Sequence, residues 1–492
     1  MGIVARQSIY NIASIGLAFA IGAVNTLFLY PGILGVSFYA IIVALLASSN
    51  ILQPIFSFGM QHTVIKFYSA AENQEEKDKI LFFSLLLPLC IILPSGLLFT
   101  SFYDEVAAYM ATENAAMGDY VFLIFAIAVC TSYFEIFYSW ARVQKKSVFG
   151  NFLKEVYQRV MIFVLLLLYF FKIIGLQGFI YGLIVGYFLR LAFMFFHSIS
   201  LYRPRFVGWI PKAFKQLLAF SSLIFLSGFG ASLILDIDKT MLIKLVEGKY
   251  VAYYTVAVFI ASVIDMPNRA MVQIINPLIA EALNKQDKER LYTLLYKSSL
   301  HMLMASGLLF VLINSNGEDL YAFIAQLNGK PGFDVALPVV FILSLTKLFS
   351  ALMGCVNNII TNSQYYKYVP VFTLGSAVSV VLLNLYFIQH YGFVGAAYAT
   401  FGVISVFNAL KLFFVYHAFG IHPFSKPIFL LLVLIIGLTI GVSFVPFGGS
   451  PLLNLVLRSL LILIVFGGLV LGLRLSEDVA ALVGKWLKKV KA

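Results

Sequence analysis

Within LILDIDKTMLIK, residues 233–244, an apolar run places Asp236, Asp238 and Lys239 inside four positions. Glu135, Arg190, Asp265, Arg269 and Lys347 interrupt other stretches of Leu, Ile, Val and Phe. Acids and bases set in such surroundings can pair, relay protons or hold a ligand of opposite charge. Spacing decides which of them can meet. Asp236 and Lys239 are three residues apart, Asp265 and Arg269 four, and both separations share one face of a helix. Asp238 points about 160° away from Asp236 at 100° per residue. One acid can therefore pair within the helix while the other reaches a neighbour.

The elements that position these groups follow from composition. The chain is 61% hydrophobic and 11% charged, with a mean hydropathy of +0.95. Apolar runs long enough to cross about 30 Å of hydrocarbon recur throughout. Fourteen are expected, at 8–30, 37–58, 80–101, 120–141, 156–172, 176–200, 216–236, 250–272, 298–315, 334–356, 368–388, 392–418, 427–446 and 451–474. Lipid forces each spanning backbone to satisfy its own hydrogen bonds, so the spans are helices and the fold class is all-α and polytopic. The first span is too long for a cleaved signal peptide and lacks a small-residue cleavage site. With the N-terminus inside, twenty-five of the 34 Lys and Arg fall in inner segments and five in outer ones. That bias predicts cytoplasmic termini. The net charge of +12 is then inner-loop bias and attraction to anionic lipid, not a nucleic-acid footprint.

A charge near the bilayer centre costs about 2.5–3.5 kcal/mol on insertion scales. Lys347 falls near the middle of the tenth span, Arg190 in the inner half of the sixth and Glu135 in the inner half of the fourth. Lys347, Arg269 and Arg190 are expected to face a polar cleft between two lobes, with Asn25 offering hydrogen bonds to sugar hydroxyls. Glu135, Asp236, Asp238, Lys239 and Asp265 are the candidates for gating or coupling. Other readings stand beside these. Arg190, Lys411 and Arg458 could snorkel to an interface, Asp236 and Lys239 could mark a helix end, and Arg269 could simply open a loop. Asn25 could tie two helices together.

The chain also repeats itself. NQEEKDKIL, 73–81, returns as NKQDKERLY, 284–292, and GLQGFIYG, 175–182, as GFVGAAYA, 392–399. GVSFYAI at 35–41 pairs with GKYVAYYTV at 248–256. Matches in one order at nearly one offset predict a duplicated unit of six helices. Six is even, so the copies are parallel, related by an axis along the membrane normal. The expected divisions are an N-lobe at 1–200, a C-lobe at 201–418, and two appended spans with a basic tail at 419–492. Lobes of this kind usually belong to transporters.

DKTMLIKLVEGKYVAYYTVA, residues 238–257, resembles the seventh-to-eighth-span signature of the bacterial polysaccharide transporters. These are the O-antigen and oligosaccharide-lipid flippases of the multidrug/oligosaccharidyl-lipid/polysaccharide superfamily. Asp238, Lys239, Met241, Gly248, Tyr254 and Ala257 fit the pattern, and Gly392–Ala397 fits the opening of its twelfth span. Ala252 stands where the family often has Gly. The resemblance covers essentially the whole chain. It implies export of an undecaprenyl-pyrophosphate-linked glycan from the inner to the outer leaflet of the cytoplasmic membrane.

Rival classes have little support in the sequence. No G-x-x-x-x-G-K-[S/T] phosphate loop occurs. The outer loops are under twenty residues, short for a membrane glycosyltransferase or polymerase. A cation-coupled multidrug exporter of the same superfamily is the nearer alternative, with twelve spans and usually an acid in the first. Neither Asp nor Glu occurs in the first span here. The expectation is thus a transporter, not an enzyme, without cofactor or metal. Its expected partners are a lipid-linked glycan and membrane lipids, with polysaccharide polymerase machinery left open. Nucleic acid is not expected, and a monomer is.

Overall fold

The computed structural model describes residues 14–328, 332–445 and 448–479. The first residues of the expected first span and the basic tail from 480 lie outside the described residues. Helix accounts for 87% of the described residues, and no strand occurs among them. Contacts divide the chain into two compact units, Met1–Thr255 and Val256–Ala492.

In the first unit, α1 (Ser14–Leu34) ends in a π-helical stretch, Val24–Leu34, that carries Pro31. α2 (Val36–Ser57) and α3 (Met60–Ala70) form a rod broken at Phe58 and Gly59, both with positive φ. α4 (Gln74–Ser101), α5 (Tyr103–Met110), α6 (Phe122–Val143) and α7 (Val148–Phe152) follow. A π-helical turn, Leu153–Tyr157, leads into α8 (Gln158–Phe170), then α9 (Leu176–Leu201) and α10 (Phe214–Leu245). The break in α2–α3 has a packing reason. A Cβ on Gly59 would lie 2.8 Å from the Ser221 carbonyl oxygen, so only glycine lets α10 come this close. Thr63 and Ser221 seal the contact through their hydroxyls at 2.7 Å. The core here is formed by Met60, Phe83, Phe134, Trp140, Met194 and Leu217.

α11 (Gly248–Ser262) straddles the division. The second unit continues with α12 (Met266–Asn284), α13 (Lys288–Ser315), α14 (Gly317–Asn328), α15 (Leu337–Leu352), α16 (Val356–Asn362) and α17 (Val369–Phe419). α18 (Lys426–Ser443) and α19 (Pro451–Gly472) close the fold. Leu431, Ile435, Ile462 and Phe466 bind this last pair into the same core as Leu295, Leu303 and Ile359.

The duplication read from sequence reappears as an order of elements. A rod broken once, a long helix, a short helix, a 3₁₀ turn, a helix, a short helix and two further helices occur from α2 to α9. The same series runs from α11 to α17. Equivalent first residues are Gln74 and Lys288, each preceded by a side-chain cap. Asn73 accepts from the Glu76 amide and Asp287 from the Arg290 amide. α10 opens the second repeat by sequence, yet it packs in the first unit, chiefly against α2.

Twelve helices among the described residues are long and apolar enough to cross a membrane. Two expected spans account for the difference from fourteen. The expected 368–388 and 392–418 both lie in α17, which breaks at Gly392 (φ 58°, ψ −145°). The expected 156–172 falls on α8, 13 residues long and extended by the preceding π turn and α7. The seventh span was expected to end at residue 236, but α10 runs on to Leu245. Asp236 and Lys239 pair with each other and Asp238 is hydrogen-bonded by Tyr254 along its sides, so the helix has no reason to stop at them.

Candidate functional site

Glu135, Arg190 and Asn25, far apart in sequence, converge on one turn of the first unit. The π-helical residues Leu153–Tyr157 carry an extra residue per turn, which shifts side chains out of the usual helical register. Lys154 on this turn reaches Glu135 of α6 at 2.7 Å. Gln158 follows, and its amide satisfies both neighbours when the oxygen accepts from Arg190 Nη1 and the nitrogen donates to the Lys154 carbonyl at 3.1 Å. Arg159 pairs with Glu155 at 3.2 Å, and its carbonyl accepts from Asn25 Nδ2 at 2.8 Å. Two acids and three bases thus share one small volume.

Arg190 is 2% exposed, with its guanidinium 3.7 Å from the Phe134 ring centroid. It is buried in the helix packing, so snorkelling to an interface is excluded. A buried guanidinium is costly unless it is paired and hydrogen-bonded. Phe134 supplies a cation–π face and Gln158 one acceptor. Arg190 Nε and Asn25 Oδ1 are buried and have no hydrogen-bond partner among the described residues. Sequence reading missed Lys154, Glu155, Gln158 and Arg159 as site residues, counting Lys154 and Arg159 only among the twenty-five bases of the inner segments. The visible signal was KEVYQR, 154–159, which places Glu155 and Arg159 at helical pairing distance.

The opening motif works as spaced. Lys239 pairs with Asp236 at 2.6 Å, and Asn50 of α2 donates to the same carboxylate at 3.2 Å. Asp238 is buried and accepts from the Tyr254 hydroxyl of α11. Tyr254 is a second member of the 238–257 signature, so that pattern joins two consecutive helices. Its glycine has a packing role as well. A Cβ on Gly248 would stand 2.6 Å from Asn114 Oδ1, while Asn114 Nδ2 donates to the Ile243 carbonyl near the end of α10. Ala252 and Ala257 are fully buried.

In the second unit the candidates lie apart. Asp265 stands at the break before α12, its carboxylate accepting from the side chains of Arg269 (Nε, 3.2 Å) and Asn268 (3.1 Å). The Arg269 side chain is 68% exposed. Lys347 is half-buried on α15, one turn before Ser350, which accepts from Asn408 of α17 at 3.1 Å. Lys411 lies one turn beyond Asn408 and is also half-buried. Arg458 does not snorkel: it pairs with Asp319 at 2.6 Å and donates to the Ser315 carbonyl. Asn454 holds the same carboxylate at 3.0 Å, so α19 is fastened to α14. No group of three or more potential metal ligands occurs among the described residues.

Two runs of the same helical series, followed by two further helices, make a two-lobe helical fold that solved transporter structures share, and the chain is a multi-pass membrane protein. Among solved structures it is similar to the lipid II flippase MurJ in an inward closed conformation. That likeness has a TM-score of 0.74 and 17% identity, covering 94% of this chain and 98% of the flippase. It is also similar to an inward-facing multidrug resistance MATE family transporter, with a TM-score of 0.61 and 16% identity over 84% of this chain and 94% of the other. The MATE transporter DinF-BH in complex with R6G gives 0.51 and 13% identity, over 84% and 95%. No family model and no curated protein matches the sequence. At these identities the likeness is one of fold.

Proposed function

We propose that this protein is a flippase. It moves an undecaprenyl-pyrophosphate-linked oligosaccharide, an O-antigen or other surface polysaccharide unit, from inner to outer leaflet by alternating access. The observation that carries this reading is the base-rich cluster around Arg190, whose unpaired Nε suits an anionic head group once a rearrangement opens the site. Asn25 Oδ1 is placed to accept from a sugar hydroxyl in the same opening. Lys347 and Arg269, within the second unit, are proposed as further basic groups for the same substrate. Glu135 is the gating group of the first cluster, because its pairing with Lys154 competes with any anion for the base. Asp265 plays the matching part beside Arg269. Asp236 through Asn50 of α2, and Asp238 through Tyr254 of α11, hold α10 to its neighbours and, with Lys239 paired to Asp236, form the gate. The protein sits in the bacterial cytoplasmic membrane with both termini inside, as the distribution of Lys and Arg supports. It acts as a monomer and without cofactor.

The fold likeness over 94% of this chain to a protein described as a lipid II flippase supports a lipid-linked substrate. The likeness to MATE transporters keeps a cation-coupled multidrug exporter as the second reading. Reconstituted vesicles separate the two. A fluorescent undecaprenyl-pyrophosphate-linked sugar should change leaflet at least ~10-fold faster than in empty vesicles, while a labelled cationic drug should not accumulate. Drug uptake without lipid movement would reverse the assignment.

A further inference from the structure

Between α9 and α10 the chain runs without helix from Tyr202 to Pro211, and this strap has an unusual surface. Its backbone is fastened to the first turns of α4. The Tyr202 hydroxyl donates to Asp78, the Arg205 amide donates to the other Asp78 oxygen at 3.0 Å, and the Lys212 amide donates to Glu76 at 2.9 Å. Gln74 adds a bond to the Tyr202 hydroxyl at 2.6 Å. Three side chains of α4 therefore hold the strap in one position.

Held this way, it turns apolar side chains outward. Phe206 is 60% exposed, Ile210 65%, Trp209 44% and Val207 41%. Phe206, Trp209 and Phe82 stack edge to face at 5.1–5.9 Å, giving a rigid aromatic wedge. Exposed bases flank the wedge: Arg203 and Arg205 before it, Lys212 and Lys215 after it. Arg203, Arg205 and Lys215 form no ion pair among the described residues, and Lys212 lies near Glu75. The strap sits at the ends of two spans, the depth at which tails give way to headgroups. Water on this wedge would be unfavourable, and hydrocarbon alone would leave the bases unsolvated.

We propose that the 202–213 strap is a binding site for anionic phospholipid. Phe206, Trp209 and Ile210 enter the acyl boundary, and Arg203, Arg205 and Lys215 hold the phosphate of a negatively charged headgroup. The observation is a rigid apolar wedge inside a ring of unpaired bases, and the occupant follows from charge complementarity. The strap is the connection between the two repeats, so lipid binding bears on the segment that links them.

Trp209 reports the contact directly. The native protein and a Trp209→Phe variant would be placed in nanodiscs containing brominated phosphatidylglycerol or, in parallel, brominated phosphatidylcholine at equal bromine content. Their difference isolates the Trp209 signal from Trp140 and Trp486. The expected result is quenching by both lipids, with a relative association constant about fivefold or more in favour of phosphatidylglycerol. Replacing Arg203, Arg205 and Lys215 together by Gln should bring that ratio to about one while quenching persists. Equal quenching by the two lipids in the native protein overturns the proposal, as does selectivity that survives the triple replacement. Absence of any quenching places the wedge outside the bilayer and also overturns it.

Discussion

Glu135 of α6 and Ser350 of α15 hold the same position counted from the start of their helices. The two repeats treat that position differently. In the first, a carboxylate meets Lys154, with buried Arg190 close by on α9. In the second, a hydroxyl meets the Asn408 amide on the later half of α17, and the lysines stand one turn away on either helix. One scaffold thus carries a charged cluster and a neutral polar contact at equivalent places. The neutral contact is what helix packing in lipid needs, since hydroxyl and amide pairs tie helices without a desolvated charge. The charged cluster exceeds that need, which is why the proposed function is centred on the first repeat.

The largest expected effect comes from breaking the charged half. Glu135→Gln removes the carboxylate while Lys154 and Arg190 remain. Translocation should fall at least ~10-fold, and stability by about 2–3 kcal/mol, below the range for fully buried pairs because Lys154 is 41% exposed. Glu135→Gln with Lys154→Met should recover most of the stability but not the transport. Recovery of both would make the pair purely structural. Leaflet-exchange assays and thermal unfolding in detergent supply the two readings.

A smaller effect is expected at the gate. Tyr254→Phe removes the donor to buried Asp238 and should cost about 1–3 kcal/mol. It should also raise the accessibility of α10 cysteine probes. Asp236→Asn should do less, because Lys239 and Asn50 share that carboxylate. Equal responses at the two acids would remove the distinction. The smallest effect belongs to the neutral half: Asn408→Ala should cost only about 0.5–1.5 kcal/mol and leave transport within about twofold. A tenfold loss there would show that both repeats work on the substrate. Topology is tested independently, by a single cysteine at Lys285. It should resist impermeant thiol reagents added outside intact cells.

Much of this organisation is legible in sequence. Apolar length alone located the helices, because lipid leaves the backbone no alternative. The three-residue spacing of Asp236 and Lys239 gave their ion pair, and the opposite direction of Asp238 gave its reach to another helix. The π-helical turn was not legible. KEVYQR carries helical spacing and no marker of an extra residue, so by sequence Lys154 is one more inner-segment base although it lies against Glu135. Nor could the sequence show Asp319 beneath Arg458, since that pair bridges 139 residues and depends on where α19 docks. Local periodicity encodes what one helix does by itself. Pairings between helices need the packing.

The break in α17 bears on how the protein is made. Gly392 takes a backbone conformation that side chains rarely adopt, with open space around its Cβ position, so the requirement is torsional. Three residues on, a Cβ on Gly395 would fall 2.0 Å from the Phe387 carbonyl oxygen, so the chain has already doubled back on itself. The equivalent reversal before α9 uses the turn Phe171–Gly175, whereas here one glycine suffices. Gln389 and His390, both exposed and just before the break, offer polar groups to the water between the two spans. With so short a polar junction, the two spans are expected to enter the bilayer together as one hairpin turned at Gly392.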